Sequence, residues 1–291
     1  MVLGVTHGRP ASDARVRGTA PGLRVVGVVT GSVAAQVARA QGAFPVAAAA
    51  MGRLVSAAAL LGSDLKDHGH VRVTAAGGGP LGRVVAEAYA DGLLRARVDH
   101  GQVDLPPTPA GKLAVGDAVG REGTLTVERF SQDGHVYTSQ SRLVSGELGE
   151  DLAQYLLMSE QVHSAVALGV LVNPDGSVAA SGGILIQALP DAEEQLVEAV
   201  SARWTGLADL SWRLAAGERM TDLLAGVVGA PIHWADPEPL AFGCLCSREH
   251  SRRLLQLAPP DERQQWAATG GAEVVCHYCR TAYRFGPEDL A

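Results

Sequence analysis

The segment from Ala165 to Leu189 reads AVALGVLVNPDGSVAASGGILIQAL. Ala165 to Val172 is aliphatic and β-branched and reads as a strand. Asn173-Pro174-Asp175-Gly176 is concentrated turn chemistry, because proline presets φ, Asn and Asp bond to nearby backbone, and glycine accepts positive φ. Ser177 to Leu189 then returns as a second strand, so the stretch is a β-hairpin. Upstream, Leu23 to Thr30 (LRVVGVVT) reads as a buried strand closing at Gly31. Pro45 to Leu61 (PVAAAAMGRLVSAAALL) is made of helix formers, and Gly62 is its expected C-cap. Val71 to Ala75 and Gly82 to Tyr89 read as strands around a flexible Gly77-Gly78-Gly79-Pro80 turn. Gly149 to Val162 reads as a helix, with Leu152, Tyr155, Leu156 and Ser159 at three-and-four spacing. Strands with interspersed helices and no regular βαβ repeat imply an α+β domain over residues 1–189.

The pattern changes at Pro190. Asp191 with Glu194 resembles a capping box, after which Leu196, Val197, Val200, Trp204 and Leu207 recur at helical spacing. A second short helix is expected from Thr221. Acids (among them Glu193, Glu194, Glu198 and Asp222) outnumber the arginines Arg203, Arg213 and Arg219. Residues 190–242 thus read as a helical linker with one apolar and one acidic face, ended by Pro237 and Pro239.

At 291 residues, 47% hydrophobic and 19% charged, the chain has the apolar content for a real core and room for one large domain plus one or two small ones. A net charge of -7 argues against a dedicated nucleic-acid binder, which needs a basic face. Arg53 and Ser56 interrupt the Ala-rich run at Pro45 to Leu61, so no membrane span is expected. Met1 to Pro10 lacks the basic and apolar regions of a signal peptide, and a cytoplasmic location is expected.

All 4 cysteines lie between Cys244 and Cys279, as Cys244-Leu245-Cys246 and Cys276-His277-Tyr278-Cys279. In a reducing compartment such paired thiols point to metal or redox chemistry rather than structural disulfides. Zinc takes four soft ligands in a tetrahedron, and a CxxC turn facing a CxC segment supplies four thiolates. Ser247 is expected to cap a helix through Leu257, and Pro260 to open another. Val274 to Cys276 and Thr281 to Phe285 flank the CxxC as a small hairpin. A tail of about fifty residues (243–291) buries too little apolar surface to fold unaided and calls for a metal or disulfides. His250 and His277 are alternative ligands, but with four sulfurs available both read as surface residues. Acids and arginines balance in the tail, which weakens a zinc-ribbon reading. Zinc holds thiols as thiolates, the form that oxidants attack. Their oxidation removes the ligands, and with them the folding energy of the module.

Phe242-Gly243-Cys244-Leu245-Cys246-Ser247-Arg248-Glu249, then Gly270-Gly271-Ala272-Glu273-Val274-Val275-Cys276-His277-Tyr278-Cys279 with Tyr283-Arg284-Phe285, resembles the redox-switch module of the heat-shock protein 33 family. Asp151-Leu152-Ala153-Gln154-Tyr155, Ser159-Glu160-Gln161 and Gly182-Gly183-Ile184-Leu185-Ile186-Gln187-Ala188-Leu189-Pro190 resemble that family's core segments, and Ala58-Ala59-Leu60-Leu61 and Lys66 also fit. The similarity spans roughly Leu23 to Leu290. It departs at Val162-His163-Ser164, where the family continues into a proline, and the first twenty or so residues match nothing.

The resemblance implies a non-enzymatic, ATP-independent holdase of the heat-shock and oxidative-stress response. Its reduced form would be inactive, with one zinc ion on Cys244, Cys246, Cys276 and Cys279. Oxidation would join Cys244 to Cys246 and Cys276 to Cys279, expel zinc, and unfold the module together with the linker. Apolar surface, including the stripe Leu196, Val200, Trp204 and Leu207, would then bind unfolding client proteins. The active form would be a homodimer that passes clients to ATP-dependent chaperones. Two other classes fit paired cysteines: a thiol-disulfide oxidoreductase and a zinc-ribbon nucleic-acid adaptor. Gly77-Gly78-Gly79-Pro80 lacks the Gly-Lys-Ser/Thr of a phosphate loop. Ser159-Glu160-Gln161 with His163 reads as a helix end, and His68, His70 and His100 as surface residues.

Overall fold

The computed structural model describes residues 12–65, 68–204, 207 and 209–290. Lys66 lies outside the described residues. The chain divides into two compact units, Met1–Phe242 and Gly243–Ala291.

The first unit opens with β1 (Ala14–Ala20), β2 (Leu23–Val29), α1 (Gly31–Gln41) and α2 (Pro45–Leu61). It continues through β3 (His70–Ala76), β4 (Arg83–Tyr89), β5 (Leu93–Val98), α3 (Val115–Val119), β6 (Thr124–Phe130), β7 (Val136–Arg142) and α4 (Gly149–Ser159). The hairpin β8 (Ser164–Val172) and β9 (Val178–Ala188) follows, then α5 (Glu194–Trp204), α6 (Leu210–Ala215) and α7 (Met220–Val228), and the short strands β10 (His233–Trp234), β11 (Glu238–Pro239) and β12 (Ala241–Phe242). One six-stranded sheet has the order β10-β1-β2-β9-β8, with β11 also on β1; a second has the order β12-β5-β4-β3-β6-β7. Pairing is antiparallel except for β12 on β5.

The α+β class is therefore as expected, and the Asn173–Gly176 turn does connect a long antiparallel ladder, with Asn173 N–H donating to Ser177 O at 2.8 Å. Between the sheets lies α2. Its core partners include Val26, Val28 and Leu185 from the first sheet and Val71, Val73, Ala86 and Leu94 from the second. A helix apolar on every side must be buried on every side, and Val46–Met51 and Leu54–Leu61 all are. By length and composition Pro45–Asp64 is apolar enough to cross a membrane, contrary to the sequence reading, but 94% of that window is buried inside the protein. Arg53, expected as an interruption, pairs with Glu147, and Ser56 bonds back to Gly52 O at 3.0 Å. Truncating a side chain such as Leu54 or Leu60 to alanine here costs about 2–5 kcal/mol.

Several local expectations are corrected. Gly62 does stand at the C-cap of α2 as expected, but in a right-handed conformation (φ -70) that leads into a single 3-10 turn. The Gly77–Pro80 segment is not a flexible turn. Gly77 O accepts from Glu122 N and Gly79 N donates to Val119 O, both at 2.9 Å, and a Cβ on Gly77 would sit 2.2 Å from Gly120 O. Two backbones meet there, and glycine is required for the approach. Helix α4 stops at Ser159 rather than Val162, because Gln161 turns the chain at φ 57. At its other end buried Asp151 accepts from the backbone N–H groups of Val144, Ser145 and Leu148, tying down the incoming loop. Helix α5 begins at Glu194, with Glu193 O accepting the first amides, so Asp191 does not cap it.

His70 is not a plain surface residue. It stacks between Phe130 and Tyr89, with ring centroids 4.0 and 4.8 Å away. Beside this stack Glu87 is fully buried and bridges Arg72 at 2.7 Å and Arg95 at 2.5 Å. His68 and His100 are exposed, as expected.

The segment expected as a helical linker lies against the first sheet. Val200, Leu207, Leu210, Met220, Leu223, Leu224, Val227 and Val228 cover Ala20, Leu23, Val25, Ile184 and Ile186 in a second core. Gly27 leaves room for α7, since a Cβ there would meet Met220 Cγ at 2.4 Å. Val200 and Leu207 are buried in this core, while Leu196 and Trp204 pack at its margin. Glu193, Glu194 and Glu198 face solvent. Helix α6 was not legible in the sequence, and α7 starts one residue before Thr221.

Candidate metal centre

The second unit consists of α8 (Arg248–Gln256), α9 (Pro260–Ala268) and the hairpin β13 (Ala272–Val275) with β14 (Ala282–Phe285). Each element starts where local chemistry puts it. Ser247 is extended and its hydroxyl accepts from His250 N at 3.0 Å, the N-cap bond that its position implies. Pro260 occupies the first turn of α9, where its missing N–H costs nothing. The hairpin pairs Ala272 with Phe285 and Val275 with Ala282, which leaves Cys276 to Thr281 as its connecting segment, with the CxxC inside it. That turn is closed by Cys276 N to Thr281 O at 2.9 Å and Arg280 N to Cys276 O at 3.0 Å, with Arg280 at φ 60.

The apolar core of this unit is small: Leu255, Phe285 and Leu290 are buried, flanked by Trp266, Ala267, Ala272, Val274 and Tyr283. Arg248 lies 4.5 Å from the Phe285 ring centroid and pairs with Asp289 at 2.9 Å. Three buried side chains are too few to fold a domain alone.

The same unit carries the four cysteines. All four thiols are free, and their Sγ atoms lie within 4.8 Å of one another. Cys244 approaches Cys276 at 3.5 Å and Cys246 approaches Cys279 at 3.3 Å. A zinc–sulfur bond of about 2.3 Å implies tetrahedron edges of about 3.8 Å. The donor set and its spacing thus fit a tetrahedral thiophilic ion. Among the described residues the cluster contains the four cysteines that the sequence singles out, and neither His250 nor His277, both exposed. The stripe Leu196, Val200, Trp204 and Leu207 belongs to the first unit.

Thiols this close cannot all ionise without a cation. Burial pushes the Cys244 thiol up, and burial pushes Cys246 up to about 12. Burial acts upward on Cys279 too, but hydrogen bonds from the Thr281 hydroxyl and backbone and from neighbouring thiols outweigh it and hold Cys279 at about 6. A bound metal ion would ionise all four thiols.

Two residues at the site escaped the sequence reading. Tyr283 Oη lies 3.3 Å from Cys246 Sγ, and Thr281 Oγ1 lies 3.2 Å from Cys279 Sγ. The bond to Cys246 pushes the Tyr283 phenol up to about 12. Their signal was present as hydroxyls two and four positions after Cys279, one at the end of the turn and one on the strand that follows it.

The family model described as Hsp33 protein matches residues 13–286. Its match begins upstream of the Leu23 boundary of the sequence resemblance and takes in β1. Proteins named 33 kDa chaperonin are similar along most of their length. The one from Desulforamulus reducens is 41% identical over 249 residues, covering 85% of this chain and 84% of the relative. That from Deinococcus radiodurans is 39% identical over 282 residues, covering 95% and 96%. The Bacillus subtilis relative is 38% identical over 253 residues, covering 87% of each. The crystal structure of the 33 kDa chaperonin (heat shock protein 33 homolog) from Thermotoga maritima superposes with a TM-score of 0.90 at 30% identity, covering 96% of both chains. With a matching fold, a family model spanning nearly all of the described residues and its four cysteines gathered at one point, this chain belongs to the Hsp33 family of chaperones.

Proposed function

We propose that this protein is a redox-regulated, ATP-independent holdase whose reduced form holds one zinc ion on Cys244, Cys246, Cys276 and Cys279. The observation that carries this reading is the convergence of four thiols in a unit whose apolar core is Leu255, Phe285 and Leu290. Bound zinc would supply the charge that keeps four thiolates together and the energy that keeps this unit folded, an apparent 10–16 kcal/mol on the scale of small zinc peptides (roughly). Oxidation joins Cys244 to Cys246 and Cys276 to Cys279. Disulfides no longer donate as thiolates, so the unit loses its staple and opens.

Client binding follows from what the linker covers. Leu196, Val200, Trp204 and Leu207 lie over Leu23, Val25, Ile184 and Ile186, so lifting α5 would bare apolar surface on both partners. Unfolding clients would bind that surface, a homodimer would present two copies of it, and clients would pass to ATP-dependent chaperones in the cytoplasm. The CxxC turn sits between antiparallel strands rather than at a helix N-terminus, the position that activates a catalytic thiol, which favours a switch over an oxidoreductase.

The test is peroxide or hypochlorite treatment of the purified protein under mild warming, following zinc release, thiol loss and suppression of client aggregation together. All three are expected to advance in parallel. Zinc release without any suppression of aggregation overturns the chaperone switch.

A further inference from the structure

Strand β8 is the last strand of its sheet and pairs with β9 alone. Ala188 N donates to His163 O at 3.1 Å, which fixes the phase of that ladder. Bonded pairs alternate along an antiparallel ladder, so Ala165, Ala167 and Gly169 turn their N–H and C=O groups to β9. Val166 and Leu168 turn theirs to the open edge. Among the described residues, no hydrogen bond closes these outward groups. The strand, Ser164–Val172 (SAVALGVLV), carries neither a proline nor a charge, two common means of blocking an exposed edge.

This edge borders a cleft of about 580 Å³, lined by Val166, Ala167 and Leu168. Trp204 and Leu207 of the linker give the cleft apolar surface, while Arg53 and Lys112 are matched there by Glu147 and Glu150. Such a lining has no excess charge to draw an anion or a cation. What it offers is a row of backbone partial charges beside aliphatic and aromatic surface. Gly149, at the start of α4, keeps that row uncovered. A Cβ there would lie 3.8 Å from Leu168 N and 3.9 Å from Val166 O.

We propose that the open edge of β8 is a strand-addition site for an extended, mainly aliphatic segment of an unfolding polypeptide. The inference deepens the client-binding reading above and rests on it. A segment in β conformation presents N–H and C=O groups complementary to those that Val166 and Leu168 leave unmet, and sends alternate side chains to one side. Main-chain bonds are blind to side-chain identity, which suits a protein that takes many clients. A folded second copy fits less well, because the start of α4 and the linker both border the cleft and a partner sheet would have to pass between them. Trp204 and Leu207 belong to the linker, so its release would widen the cleft while β8 stays on β9.

The experiment uses the full-length protein, reduced and peroxide-oxidised, with a capped Lys-Val-Thr-Val-Thr-Val-Lys peptide as probe. The control is the same peptide N-methylated throughout its central residues, which removes its main-chain donors without touching the protein. Binding is read by titration, and amide exchange by nuclear magnetic resonance. The peptide is expected to slow exchange at the Val166 and Leu168 amides by about tenfold or more at saturation, and the methylated peptide to leave them unchanged. Gly149→Ala sets a methyl group against the edge and is expected to weaken peptide binding about threefold to tenfold. Its melting temperature should not fall, since that methyl group meets nothing nearer than 3.8 Å. Binding without protection of these two amides, or equal binding of the methylated peptide, overturns the proposal. Protection that rises with protein concentration in the absence of peptide gives the edge to a second copy and overturns it too. So does a protein that suppresses client aggregation yet never binds the peptide. Equal affinity in the two redox forms, with both amides protected, keeps the strand-addition site and counts against the redox-gated function instead.

Discussion

Glu87 shows how much one carboxylate can hold. It sits on β4 with no exposed surface, bridged by Arg72 from β3 and Arg95 from β5, with the Tyr89 hydroxyl donating at 2.8 Å. Breaking a buried pair by deleting one partner strands the other charge and costs about 3–5 kcal/mol. Glu87→Ala is therefore expected to lower the urea midpoint strongly, whereas Glu273→Ala, which removes a surface partner of Arg284, leaves it unchanged within error. His70 carries a pH dependence. Burial between Tyr89 and Phe130 pulls its pKa below the ordinary 6.5, Arg72 and Arg95 push the same way, and Glu87 and Glu128 oppose. The proton is thus bound more weakly in the folded state than in the unfolded one. The stabilisation is complete above 6.5 and is lost as pH falls through the lowered folded value. His70→Phe keeps the stack and removes the proton site, so its melting temperature should fall less than that of the wild type between about pH 7 and pH 5. An equal fall in both proteins would remove His70 from the account.

At the scale of elements, caps and close approaches decide where the chain turns. Ser247→Ala removes the only side-chain bond to the first amides of α8 among the described residues, and is expected to cost about 1 kcal/mol, seen as faster amide exchange in Arg248–Gln256 with metal bound. Gly120 separates two costs of substitution. At φ 83 any side chain is strained, and a Cβ there would also stand 2.3 Å from Gly77 O. Gly111 has φ 72 with nothing within 4 Å, so it bears the strain alone. Gly120→Ala should therefore destabilise well beyond Gly111→Ala in a side-by-side melt, and equal losses would mean that the two glycine segments part easily.

For the whole molecule, two units imply two kinds of stability. The first has a core built on α2 between two sheets, whereas the second has three buried side chains and a cluster of four cysteines. Stripping the metal with a chelator under reducing conditions is expected to abolish exchange protection in α8, α9 and the β13–β14 hairpin while α2 stays protected. Protection retained throughout Gly243–Ala291 would contradict a metal-stapled unit.

Local chemistry alone determined the Asn173–Gly176 hairpin, the apolar α2, the Ser247 cap, the Pro260 start and the choice of four cysteines. Each depends on residues adjacent in the chain or on one residue type. The rest depends on partners far away in sequence. Whether Pro45–Leu61 crosses a membrane or fills a core is decided by two sheets built from other segments. Gly77 is pinned rather than flexible because Gly120 comes to meet it. His70 is half-buried because Tyr89 and Phe130 pair on either side of it. Tyr283 and Thr281 became visible as partners of sulfur only once the hairpin register brought their hydroxyls within reach. Periodicity and capping act over a few residues, whereas burial and register are properties of the assembled chain.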